Sequence, residues 1–122
     1  MAAPNILNAT SILGKTVTGS LDTTLTTAYL SCNADKLLKV NSIIVSNIDG
    51  TNNADVTVGF YDNSATATRH IAKLVTVPAK ATLVLLGRDS PVYLEESDQI
   101  RAGASAAGDL EIIISFEELD DA

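Results

Sequence analysis

Several groups of residues in this chain have types and spacings that suggest chemistry. Ala9–Thr16 reads ATSILGKT, close to a phosphate-binding loop. Such a loop needs glycine at its first position, after a strand and before a helix, so that its backbone amides can cradle a phosphate. Ala9 stands where that glycine belongs, and Val17-Thr18 continues as extended chain. Asp49, Asn52, Asn53 and Asp55 space oxygen donors as in a calcium loop. The glycine at the sixth position and the distant bidentate glutamate are absent, so the segment reads as a polar turn. Glu95, Glu96 and Asp98 are clustered carboxylates, the kind that serve glycoside hydrolysis when a cleft with aromatic walls surrounds them. They read instead as a solvated turn, with Arg101 near enough to pair weakly. His70 is the only histidine and sits mid-strand beside Arg69, which reads as an outward surface or interface residue rather than a base. Cys32 is the only cysteine, so no intrachain disulfide forms. It reads as a small core hydrophobe, and Lys36 and Lys39 are weak candidates for activating it. The residues assign no catalytic, cofactor-binding or metal-binding role, and imply no cofactor.

Composition narrows the remaining classes. Lys and Arg total 8 against 15 Asp and Glu, a formal net charge of −7. That balance argues against binding nucleic acid by neutralising phosphates and against docking on an anionic membrane. Aromatic residues make up 4% and tryptophan is absent, which disfavours recognition of sugars or single strands by stacking. The opening MAAPNILNATSILGK has neither a positive n-region nor a continuous apolar core, so no signal peptide is expected. Nor is there an apolar run of the ~18 residues a membrane helix needs. Asn8-Ala9-Thr10 matches a glycosylation sequon, a coincidence in a chain made in a cytoplasm.

The elements that must position these residues are strands. Leu110, Ile112, Ile114 and Phe116 alternate with Glu111, Ser115 and Glu117, the period of a strand with one buried face. Further strands are expected at Lys15–Leu21, Thr27–Ser31, Leu37–Ile48, Ala54–Tyr61, Arg69–Val77, Thr82–Leu86, Val92–Leu94 and Gln99–Ser105. In Leu37–Ile48, Leu38, Val40 and Ile44 take one face and Ile43 and Val45 the other, as in a strand covered on both sides. The turn signal Asp49–Asn53 predicts that this strand and Ala54–Tyr61 form a β-hairpin with a long loop. Glu117–Asp121 reads as a solvated acidic tail. No segment keeps a 3.6-residue apolar period over ten residues. About eight or nine short strands with regular turns predict an all-β, antiparallel sandwich, jelly-roll-like, with an extended N-terminal arm. The expected division is 1-27 for the arm and first strand and 28-122 for the sandwich. The arm is rich in Thr and Ser and almost uncharged, suited to adding a strand to another chain's sheet. Its apolar points Ile6, Leu7, Ile12 and Leu13 have little local sequence to pack against and are the candidate partner-binding residues.

The opening MAAPNI, Lys39–Val58 (KVNSIIVSNIDGTNNADVTV), Val75–Leu86 (VTVPAKATLVLL), Pro91–Ser105 (PVYLEESDQIRAGAS) and the closing LEIIISFEEL together resemble small β-sandwich virion proteins of tailed bacteriophages, especially those of marine bacteria and cyanobacteria. The resemblance covers nearly the whole chain, and its motifs are fold-type motifs, not active-site motifs. It implies a non-enzymatic capsid decoration (cement) protein in the virion, at the capsid surface. It also implies contacts with the major capsid protein and a homo-oligomer, often a trimer. A neck, tail or fibre-attachment protein fits the same motifs. A carbohydrate-binding or host-adhesion module is a further alternative, and would depend on Tyr61 and Tyr93.

Overall fold

The computed structural model describes residues 11–87 and 89–120. Among these residues the chain forms nine strands and no helix. They are β1 (Ser11–Ser20), β2 (Thr27–Ser31), β3 (Lys36–Asn47), β4 (Ala54–Asp62), β5 (Ala67–Val77), β6 (Thr82–Leu86), β7 (Val92–Leu94), β8 (Gln99–Ala104) and β9 (Leu110–Asp120). One sheet runs β1-β9-β3-β6, with β7 also paired to β3; the other runs β2-β8-β4-β5. Every pairing is antiparallel.

The two sheets bury one shared core. Val40, Ile43 and Val45 of β3 and Ile112 and Ile114 of β9 pack in one cluster with Val56 and Val58 of β4 and Ile100 and Ala102 of β8. β-Branched residues dominate this list, as expected where side chains stand on a pleated surface. Each fully buried Val or Ile contributes about 1.5–3 kcal/mol relative to an exposed one.

β9 follows the alternation its sequence predicts: Leu110, Ile112, Ile114 and Phe116 are buried, while Glu111 and Ile113 are exposed. β3 departs from its expected pattern. Its register against β9 shifts between Val40 and Ser42, so Asn41 is an extra residue. That bulge brings Val40, Ile43 and Val45 all to the core, and leaves Ile44 on the opposite face.

The hairpin expected between β3 and β4 does not form, because the two strands lie in different sheets. The buried side chain of Asn47 fixes the crossing. Its amide donates to the carbonyls of Asn52 (3.0 Å) and Val77 (2.9 Å), and its Oδ1 accepts the Asp49 N–H (2.9 Å). One side chain thus ties the end of β3, the crossing loop and the end of β5. The sequential hairpin is β4–β5. The expected acidic tail is likewise structural. β9 continues to Asp120, Glu118 lies 2.7 Å from Lys15 Nζ and 3.7 Å from Lys36 Nζ, and Lys36 also pairs with Asp120.

Candidate functional site

Most of the residues that suggested chemistry are engaged by the fold. Asp49 Oδ1 accepts the N–H groups of Thr51 (2.8 Å) and Asn52 (3.3 Å), and its Oδ2 accepts from the Asn52 amide (3.1 Å). The Thr51 bond, with the Asn52 bonds behind it, holds the carboxyl below its ordinary range. Asp98 is not part of a solvated turn. It is 5% exposed, and its two oxygens accept the N–H groups of Asn63 (2.9 Å) and Glu95 (3.0 Å), pinning the β4–β5 turn to the β7–β8 turn. Glu96 accepts the Asp35 N–H at 2.9 Å. Arg101 pairs with neither glutamate; it donates to Gln99 at 2.8 Å and lies over the Tyr61 ring at 3.7 Å. Tyr61 is therefore covered, whereas Tyr93 is 42% exposed.

Cys32 is buried, and its thiol donates to the Lys36 carbonyl at 3.2 Å. Burial pushes its pKa up to about 11, so it has the character of an inert thiol. His70 is exposed on the edge strand β5. Of the phosphate-loop look-alike, Ser11–Thr16 lies inside β1 as extended strand, and Ala9 and Thr10 fall outside the described residues.

Among the candidate partner-binding residues, Ile6 and Leu7 lie outside the described residues. Ile12 and Leu13 are placed by β1, which begins four residues earlier than the predicted Lys15: they pair with Leu119 and Glu118 and are 55% and 50% exposed. β1 holds to β9 in an unbroken antiparallel register from Ser11↔Asp120 to Ser20↔Glu111. Among the described residues, no strand lies beside its other side. The Leu21 N–H bonds to the Leu110 carbonyl at 2.9 Å, which fixes the parity. Odd residues direct their main-chain groups to β9, and Ile12, Gly14, Thr16, Thr18 and Ser20 direct theirs outward. Among the described residues, the outward carbonyl is occupied only at Ser20, by the Tyr29 hydroxyl at 3.1 Å. The Tyr29 ring reaches that point because residue 19 is glycine; a Cβ there would meet the ring at 2.8 Å.

A second surface lies on the outer face of the β1-β9-β3-β6 sheet. Register places Thr18, Ile113, Ile44 and Val84 in one row across it. Ile113 is 39% and Val84 61% exposed. The flanking rows hold Thr16, Ser115 and Ser42 on one side and Ser20, Glu111, Ser46 and Thr82 on the other. Sequence reading missed this row because β1 and β9 lie at opposite ends of the chain, and only the register brings them together.

No family model matches the chain, and no curated protein matches it.

Proposed function

We propose that this chain is a non-enzymatic virion structural protein of a tailed phage, a capsid decoration protein that binds the major capsid protein and stabilises the shell. On this reading it is made in the host cytoplasm, assembles as a homo-oligomer, acts at the capsid surface, and needs no cofactor. The observation that carries the reading is the open edge of β1. A long, regular, almost uncharged edge strand is a hazard for a protein that works alone, and an asset for one whose work is to be held by neighbours. The strand order supports a jelly roll, since β1-β9-β3-β6 facing β2-β8-β4-β5 is the arrangement of two interleaved Greek keys. The sequence resemblance points the same way. Cementing needs only modest affinity per site, because many weak contacts act together on a lattice. The arm before β1, with Ile6 and Leu7, supplies the anchoring contact together with Ile12 and Leu13.

Copy number in purified particles tests the reading, by mass spectrometry against the major capsid protein. Shell decoration predicts on the order of hundreds of copies, as multivalent cementing requires. A few copies would move the protein to a neck or tail position, and its absence from particles would end the virion reading. A second experiment addresses the arm: deleting residues 1–10 is expected to abolish capsid binding while leaving the far-ultraviolet spectrum of the sandwich intact.

A further inference from the structure

The edges of the two sheets are not equivalent. β6 has 5 residues and β2 has 5, each with a register break against its neighbour, and β7 has 3. β5 is longer but carries two register breaks and exposed Arg69, His70 and Lys73. Short length, bulges and charge all discourage pairing with another chain. β1 has none of these protections: 10 residues, no register break, and Lys15 as its single charge.

Among the described residues the open part of this edge is symmetric about one residue. With the Ser20 carbonyl taken by Tyr29, the residues with both main-chain groups open outward are Ile12, Gly14, Thr16 and Thr18, and their midpoint is Lys15. We propose that β1 pairs antiparallel with β1 of a second copy of this chain, about a twofold axis at Lys15, joining two sheets into one. All four outward residues then find main-chain partners: Ile12 with the partner's Thr18, and Gly14 with the partner's Thr16, each pair occurring twice. On the core-side face, half-exposed Leu13 meets the partner's Val17, and this apolar pair also occurs twice. At the axis Lys15 faces the partner's Lys15. Like charges opposite each other oppose pairing, but each ammonium arrives with its own counter-ion, Glu118 at 2.7 Å. Registers centred on Gly14 or Thr16 separate the lysines but place Leu13 opposite the partner's Lys15 or Gly19, and lose the apolar pairs. A contact in which the same surface meets itself is isologous and closes as a dimer; the trimer implied by the resemblance would need a different surface.

Cross-linking of the full-length protein tests both contact and register. Residues facing each other in a non-hydrogen-bonded antiparallel pair have Cα atoms about 4.5 Å apart, within the range a disulfide spans. Lys15→Cys is expected to give a covalent dimer in most chains under mild oxidation. Thr18→Cys, displaced from its counterpart by several residues, is expected to stay monomeric on a denaturing gel. Buried Cys32 stays out of the reaction. No dimer from Lys15→Cys, or equally fast dimer from Thr18→Cys, overturns the proposal. Sedimentation of Thr16→Pro is the second arm. The Thr16 N–H points away from β9, so proline there removes no main-chain bond within the chain; it loses only the exposed 3.4 Å contact between the Thr16 and Ser115 hydroxyls, and blocks the partner. A folded monomer is expected from Thr16→Pro and a dimer from the parent, with Thr18→Lys as the substitute if the proline variant fails to fold. A parent that is monomeric at every concentration overturns the proposal, as does a folded Thr16→Pro or Thr18→Lys that still dimerises. These experiments use purified protein alone, so they stand or fall separately from copy number on the virion.

Discussion

β1 and β5 are both long strands at the rim of a sheet, and they treat that exposure in opposite ways. β5 is broken twice against β4, opposite Thr57 and between Val58 and Gly59. At the first break Leu74 is held at φ 54 and is 60% exposed. The other non-glycine residues with positive φ, Asp35, Thr66, Lys80 and Ser97, are polar and lie in turns. A leucine in that conformation costs about 1 kcal/mol, and the chain keeps it inside a strand. β1 has no break, no strained residue and no charge beyond Lys15. The difference teaches that edge protection in this fold is selective. One rim is bent and charged, which discourages pairing, and the other is left straight, as the proposed pairing requires.

The comparison can be broken most sharply at the β5 bulge. Thr57 is 4% exposed and its hydroxyl accepts the Leu74 N–H at 3.1 Å. Thr57→Val keeps the shape and orphans that donor, so urea denaturation is expected to show a loss of about 1–3 kcal/mol. A smaller effect of opposite sign is expected from Leu74→Gly, which relieves the left-handed strain and should raise stability by about 0.5–1 kcal/mol. No gain there would mean that the exposed leucine is held by packing, not tolerated as strain. On β1 the expected contrast is a near-zero change: Thr16→Lys should alter monomer stability by less than about 0.5 kcal/mol. If Thr16→Lys destabilised the monomer as much as Thr57→Val, the two edges would not differ in kind.

Cys32 supplies a control away from both edges. In the unfolded chain its thiol ionises near the ordinary 9.0, while burial raises the folded value to about 11. The folded state therefore holds the proton more tightly across that interval, and stability should fall as pH rises from 9 towards 11, with no contribution below. Urea midpoints between pH 8 and 11 should show this fall, and Cys32→Ala should remove the part of it due to the thiol.

How much of this was legible in the sequence differs from strand to strand. The alternation of Leu110, Ile112, Ile114 and Phe116 identified β9 and its buried face, because a period of two is a local property. The bulge at Asn41 was not legible. It arises from the match between two strands far apart in the chain, and it puts Val40 and Ile44, assigned to one face, on opposite faces. Asp49–Asn53 marked a turn correctly, but turn chemistry does not say whether the chain returns in its own sheet or crosses to the other; Asn47 decides that through contacts with Val77. Asp98 looked like one of three solvated carboxylates, and its burial depends on Asn63 coming to meet it. The uncharged, threonine-rich character of the first strand was plain. That it is an edge, and which of its main-chain groups face outward, became visible only through its pairing with β9.

Amide hydrogen exchange at Ile12, Gly14, Thr16 and Thr18 tests most directly whether the β1 edge is an assembly surface. Those four N–H groups have no acceptor among the described residues of the chain's own sheet, so in a lone molecule they are expected to exchange quickly. Slow exchange at high protein concentration, becoming fast on dilution, is the predicted result. Fast exchange of all four at every concentration, beside protected odd-numbered neighbours, would contradict it.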